Sequence, residues 1–83
     1  MWLCRTDDLS YHYMPCDSLD LCISTRTKKG IDTGRICTWN ICMVLRNVNY
    51  GYVQIKRDFV GDITMAKQYA EQYLKKLKED IPI

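Results

Sequence analysis

The apolar residues near the end of the chain recur at helical spacing, and this pattern constrains the fold more than any other feature. One stripe of residues 63–79 is apolar and consists of Met65, Ala66, Tyr69, Ala70, Tyr73, Leu74 and Leu77. The opposite stripe is charged, with signs that alternate every four residues. Either Asp62 or Thr64 can cap the first turn. The pattern predicts an amphipathic helix over about 63–79 whose apolar stripe needs a partner surface.

Upstream, apolar residues recur with the two-residue period of β-strands. Four runs show this period, at about 1–6, 19–28, 36–46 and 51–58. In the third run, Cys37, Trp39 and Ile41 share the apolar side. Short segments with Gly, Asn and Asp separate the last three runs, which favours consecutive antiparallel strands. The predicted fold class is α+β: a three- to four-stranded antiparallel β-meander packed on one face by a single C-terminal α-helix.

The length of 83 residues predicts one compact domain, 1–83, around a single core. The five cysteines are odd in number, and the chain starts without a basic and apolar leader, so we expect reduced thiols rather than a disulfide framework. No apolar run approaches the roughly 18 residues that span a bilayer. We therefore expect a cytoplasmic protein, in the host cytosol if the source is viral, without a membrane partner.

The segment from Ser10 to Cys22, "SYHYMPCDSLDLC", gathers histidine, cysteine and aspartate, the residue types of metal sites and catalytic centres. Zinc sites are typically signalled by two ligands on one tight turn. The metal candidates lack that spacing; they are Cys4, His12, Cys16 and Cys22. A Cys–His nucleophile would have to use His12, and Pro15 disfavours a helix start that would activate Cys16. The segment is interpreted as a loop, and we expect no metal, no cofactor and no enzymatic activity.

The same segment is unusually aromatic for a surface loop. Tyrosine is enriched in the cores of protein interfaces, and methionine adapts to the shape of a partner. The residues predicted to bind a partner are Tyr11, His12, Tyr13 and Met14. The leading hypothesis is a small non-enzymatic protein–protein interaction module that docks onto a larger protein. A viral or mobile-element accessory protein that inhibits or modulates a host macromolecule is a special case. An exposed edge strand also offers a surface for a homodimer.

The alternative hypothesis is nucleic-acid binding by the sheet face that the helix leaves uncovered. Arginine, lysine and asparagine on a sheet can contact phosphates and base edges, and tyrosine can stack on unpaired bases. The candidate residues are Arg26, Lys28, Asn40, Arg46, Tyr50, Tyr52 and Lys56. The net charge of +2 is small for a nucleic-acid-binding domain, so this function ranks second.

Overall fold

The computed structural model describes residues 2–46 and 51–80, and within them the chain forms five strands and two helices. In chain order the elements are β1 (Leu3–Arg5), β2 (Ser10–Cys16), β3 (Leu19–Thr25), α1 (Lys29–Thr33), β4 (Cys37–Leu45), β5 (Tyr52–Gly61) and α2 (Ile63–Asp80). The strands form one antiparallel sheet in the order β1-β2-β3-β4-β5. Each strand therefore pairs with its neighbour in the chain, as expected for short connections.

The core lies between one face of this sheet and α2. Its largest fully buried side chains are Leu21, Ile23, Trp39 and Ile41. Register explains why they meet, because Leu21 and Ile23 on β3 lie in line with Met43 and Ile41 on β4. The Trp39 indole donates a hydrogen bond to the Gly61 carbonyl at 2.9 Å. That bond satisfies the polar atom of a side chain that is otherwise surrounded by apolar groups.

Helix α2 begins at a side-chain cap and approaches the sheet through small residues. The Asp62 carboxylate accepts a hydrogen bond from the Met65 backbone N–H at 2.9 Å, so Asp62 is the N-cap. Ala66 and Ala70 are fully buried between the helix and the sheet. Their short side chains leave room for the Trp39 ring beneath the helix, which is how a large and a small residue pack across one interface.

The α+β class and the C-terminal helix are confirmed, whereas the number of strands was predicted wrongly. Residues 10–16, interpreted as a loop, form β2, so the sheet of the described chain has five strands instead of three or four. Proline is uncommon inside strands because it cannot donate a hydrogen bond to the neighbouring strand. Here the β2–β3 register shifts between Tyr13 and Cys16, and proline is tolerated at such an irregularity.

Two strand ends and one connection also differ from the prediction. β3 ends at Thr25 instead of about residue 28, and residues 29–33 form the short helix α1 instead of a simple turn. Gly34 ends α1 with φ = +66°, a conformation that glycine adopts without strain. β5 continues to Gly61, beyond the predicted end at about residue 58.

None of the described helices is both long and apolar enough to cross a membrane.

Candidate functional site

The strand β2 serves two faces of the sheet through alternate side chains. Tyr11 and Tyr13 pack against the core, and the Tyr11 ring meets the Trp39 ring edge-on with 6.1 Å between centroids. His12 and Met14 point to the other side. Of the four residues predicted to bind a partner, the structure therefore brings only these two to the same exposed surface.

We call the side of the sheet opposite α2 the open face. Cross-strand register assigns to it Leu3, Arg5, Ser10, His12, Asp20, Cys22, Ser24, Asn40, Cys42, Val44, Tyr52 and Gln54. A central row crosses all strands of the described sheet, because directly opposite residues share a face. The row runs Leu3, His12, Cys22, Cys42, Gln54.

His12 is the hub of a hydrogen-bonded cluster on the open face. Its Nδ1 lies 3.3 Å from the Asp20 carboxylate, and its Nε2 lies 2.8 Å from the Ser10 hydroxyl. Ser10 is buried and also contacts the Asp8 carboxylate. The Cys22 sulfur lies 3.9 Å from Nε2. The His12 imidazole on β2 therefore contacts the Cys22 thiol on β3.

The donors and acceptors of this cluster define the protons it needs. Asp20 can only accept a hydrogen bond when ionised, so Nδ1 of His12 must donate. Ser10 donates its single proton to the Asp8 carboxylate, so its oxygen can accept a hydrogen bond from Nε2 of His12 when that nitrogen carries a proton.

Next to His12, two thiols face each other across neighbouring strands. Cys22 on β3 lies directly opposite Cys42 on β4. The pKa of the Cys42 thiol is lowered to about 7, because the Cys22 thiol donates a hydrogen bond to it and the Tyr52 hydroxyl lies beside it; burial acts in the opposite direction. The pKa of the Cys22 thiol is raised, because it is the donor of that bond and is partly buried.

A concavity of about 290 Å³ opens where β1 and β2 meet the end of β4. We call it the corner concavity; its lining residues are Leu3, Arg5, His12, Met14, Asp20 and Arg46. Leu3 is 64% exposed and Met14 is 45% exposed. The Arg46 guanidinium lies 3.6 Å from the Met14 sulfur. Apolar and cationic groups are thus side by side at this corner.

The candidates for nucleic-acid binding do not form one patch. Arg26 follows the end of β3 and Arg46 follows the end of β4, which register places at opposite ends of the sheet, about 26 Å apart by the rise of a strand. A β-bulge pairs Lys56 with Ile41 and ends the alternation that Tyr52 begins. Lys28 is exposed at the start of α1.

Two further residues of that set have separate roles or positions. Asn40 accepts a hydrogen bond from the Asp58 backbone N–H at 3.3 Å. It shares a second, polar concavity of about 440 Å³ with Arg26 and Asp58. Tyr50 lies outside the described residues.

The metal candidates are also separated by the sheet. Cys4 lies opposite Tyr11, hence on the other side from His12, and Cys16 lies at the far end of β2 beside Ser18. Of the four candidates, the structure brings only His12 and Cys22 together. Across residues 2–46 and 51–80, no group of three or more His, Cys, Asp or Glu side chains is placed to hold a metal ion.

Sequence reasoning missed Leu3, Arg5, Asp20 and Cys42 as members of one surface. The two-residue spacing of Ser10 with His12, and of Asp20 with Cys22, was the signal that could have found this surface. If both segments are strands, each pair lies on one face of its strand. That signal could not be used once residues 10–16 were interpreted as a loop.

No family model, curated protein or solved structure matches this chain.

Proposed function

We propose that the chain is a small non-enzymatic interaction module that binds an extended, acidic and apolar segment of a larger protein at the corner concavity. The observation that supports this most is the adjacency of two exposed apolar side chains, Leu3 and Met14, to the guanidinium of Arg46. Exposed apolar surface costs free energy in water, about 25 cal/mol per Å², and a partner that covers it recovers that energy.

The chemistry of the partner follows from the charges at the corner. Arg5 and Arg46 line the concavity with one carboxylate, Asp20, which His12 already engages. A docking segment with a carboxylate beside an apolar side chain would pair with a guanidinium and cover Leu3 or Met14. Arginine suits this role because its planar fork binds a carboxylate through two hydrogen bonds.

The extended form of the partner follows from the position of β1. This strand is at the edge of the sheet, and its three residues are exposed. An edge strand offers main-chain groups to an added strand, whose alternate side chains can enter a neighbouring pocket. The same edge would serve a homodimer, which is an alternative outcome of the binding experiment.

A module of this kind would act by occupying a surface of a larger macromolecule. We propose inhibition or modulation of that macromolecule as the biological consequence, as in a viral or mobile-element accessory protein. Catalysis forms no part of the proposal, because neither docking residue, Leu3 or Met14, carries a reactive group.

The second candidate is nucleic-acid binding at the polar concavity. The observation that favours it is that Arg26 and Asn40 share this concavity. Asp58 lines the same space, however, and would repel phosphate. The proposal of protein binding is therefore preferred.

Peptide display tests the proposed function even though the partner is not identified. The full chain is the bait, and peptides that also bind a Met14→Asp, Arg46→Glu double variant are removed. We expect the recovered sequences to combine Asp or Glu with apolar residues. Recovery of only basic sequences, or loss of every bound sequence in the removal step, would refute the proposed site. Size-exclusion chromatography of the bait shows whether the β1 edge is already occupied by a second copy.

A further inference from the structure

We propose that Cys22 and Cys42 form a thiol–disulfide exchange site that reacts with low-molecular-weight disulfides and closes to a disulfide between β3 and β4. This inference goes beyond partner binding, because the two thiols lie in the middle of the open face and do not line the corner concavity. It depends on a paired geometry that none of the other cysteines shares, although all five lie in the described part of the chain.

The first argument is the register of the two strands. Cys22 and Cys42 are direct partners in the antiparallel β3–β4 pair. Such partners have Cα atoms about 4.5–5.5 Å apart, and side chains on the same face. A disulfide joins Cα atoms that are about 4.4–6.8 Å apart. Register therefore places the two Cα atoms at a separation that a disulfide can span, although both cysteines are free thiols here.

The second argument is the difference between the two sulfurs. Cys42 is only 8% exposed, whereas Cys22 is partly exposed and lies beside His12. The hydrogen bond between the thiols lowers the pKa of Cys42 to about 7 and raises the pKa of Cys22. Cys22 is the more exposed sulfur, so it attacks a bulky disulfide first, and the Cys42 thiolate accepts its proton.

His12 supports the charge on Cys22. Its Nε2 is 3.9 Å from the Cys22 sulfur, and a proton on that nitrogen can be shared between the thiolate and the Ser10 hydroxyl. Asp20 holds the ring from the other side through Nδ1. A nearby donor stabilises a thiolate and raises its population, which is how reactive cysteines are activated.

The reaction proceeds in two exchange steps. The Cys22 thiolate attacks one sulfur of R–S–S–R, that disulfide bond breaks, and R–S⁻ leaves with its electron pair. The Cys42 thiol then loses its proton to the departed thiolate, giving R–SH. The Cys42 thiolate attacks the Cys22 sulfur, breaks the mixed disulfide and releases the second R–S⁻. The protein pair is oxidised by two electrons and the small disulfide is reduced to two thiols.

Other cysteines provide internal controls. Cys4 is exposed on the edge strand opposite Tyr11, and Cys37 lies 3.6 Å from the Thr25 hydroxyl. Neither has a cysteine as its cross-strand partner in the described pairs. An exposed thiol of this kind can take up a small disulfide as an adduct but cannot resolve it.

The experiment exposes the full reduced chain to glutathione disulfide at neutral pH and follows intact mass and peptide masses over time. We expect the chain to lose two hydrogen masses, with Cys22 and Cys42 recovered as one cross-linked pair. Glutathione adducts would appear on Cys4 without cross-linking. The proposal is overturned if Cys22 and Cys42 both stay reduced while Cys4 reacts, or if Cys22 accumulates a stable adduct in the wild-type chain.

Variants separate the two steps. Cys42→Ala should trap glutathione on Cys22, because the resolving thiol is absent, whereas Cys4→Ser should leave the cross-link and its rate unchanged. His12→Ala should slow the first step by about tenfold, because the donor beside Cys22 is lost. Circular dichroism confirms that each variant is folded, and Cys42→Ser provides a second resolving-site variant of different polarity. An unchanged rate of the first exchange step in His12→Ala would exclude a role for His12. Complete cross-linking in Cys4→Ser but none in the wild type would overturn the proposal.

Discussion

Tyr11 and His12 are consecutive residues whose side chains lie on opposite faces of the sheet. The Tyr11 ring packs against Trp39 in the core, and the His12 ring lies beside the Asp20 carboxylate on the open face. In the aromatic segment, Tyr11 and Tyr13 therefore pack against the core, whereas His12 and Met14 lie on the open face. Its residues cannot be changed together without mixing these two roles.

The first prediction separates stability from surface function within β2. Tyr11→Ala removes a ring that contacts Trp39 and lies under the Lys67 ammonium, 4.8 Å from the ring centre. We expect the free energy of unfolding to fall by about 2–4 kcal/mol, since large core side chains cost this much to truncate. Met14→Ala, at an exposed position, should change it by about 0.5 kcal/mol or less. Urea denaturation measures both, and equal losses would contradict the assignment of faces.

The second prediction concerns the start of α2. The Asp62 carboxylate caps the helix through the Met65 N–H, so Asp62→Ala should lower the free energy of unfolding by about 0.5–2 kcal/mol. Thr64→Ala should have little effect, because Thr64 is inside the helix and exposed. Thermal unfolding followed by circular dichroism compares the two variants. A larger loss in Thr64→Ala would show that the helix begins elsewhere.

The third prediction is a pH profile for Cys42. Only the thiolate reacts with iodoacetamide, and the hydrogen bond from Cys22 lowers the pKa of Cys42 to about 7. The labelling rate should rise with pH with a midpoint at about 7, whereas the rate for an ordinary cysteine has its midpoint near about 8.5. In Cys22→Ala the midpoint should move upward because the donor is lost. Peptide mass spectrometry gives the rates, and a wild-type midpoint near about 8.5 would contradict the thiol–thiol hydrogen bond.

The fourth prediction addresses the second candidate function. Labelled single- and double-stranded DNA and RNA should show no saturable anisotropy change with the purified protein, at low or at higher salt. The reason is that Arg26 and Arg46 lie at opposite ends of the sheet and Asp58 shares the polar concavity. Binding that weakens steeply with salt and is reduced by Arg26→Ala would instead favour the nucleic-acid function.

Much of the fold could be predicted because its periodic patterns are undisturbed. The stripe from Met65 to Leu77 has helical spacing, and the run around Trp39 alternates from Cys37 to Ile41. Both patterns arise because one face of the sheet and one stripe of the helix are buried against each other. The α+β class follows from these two elements alone.

The candidate site could be predicted only in part, because it depends on how β2 aligns with its neighbours. Residues 10–16 form a strand and not the loop that the sequence suggested, and the register of this strand shifts between Tyr13 and Cys16. Without that strand, His12 has no defined relation to Cys22 or to Leu3. Cross-strand partners are set by the register between two strands, and the sequence of one strand alone does not determine that register.

The most direct test of the proposed function is the binding of one displayed peptide to three proteins, followed by fluorescence anisotropy. These are the wild type, Met14→Asp at the corner concavity, and Ile36→Asp, which alters an exposed apolar residue outside the concavity. We predict that Met14→Asp raises the Kd by about tenfold or more, because it buries a carboxylate against an acidic partner, and that Ile36→Asp leaves it within about twofold. Equal effects of the two substitutions, or an effect of Ile36→Asp alone, would contradict docking at the corner concavity.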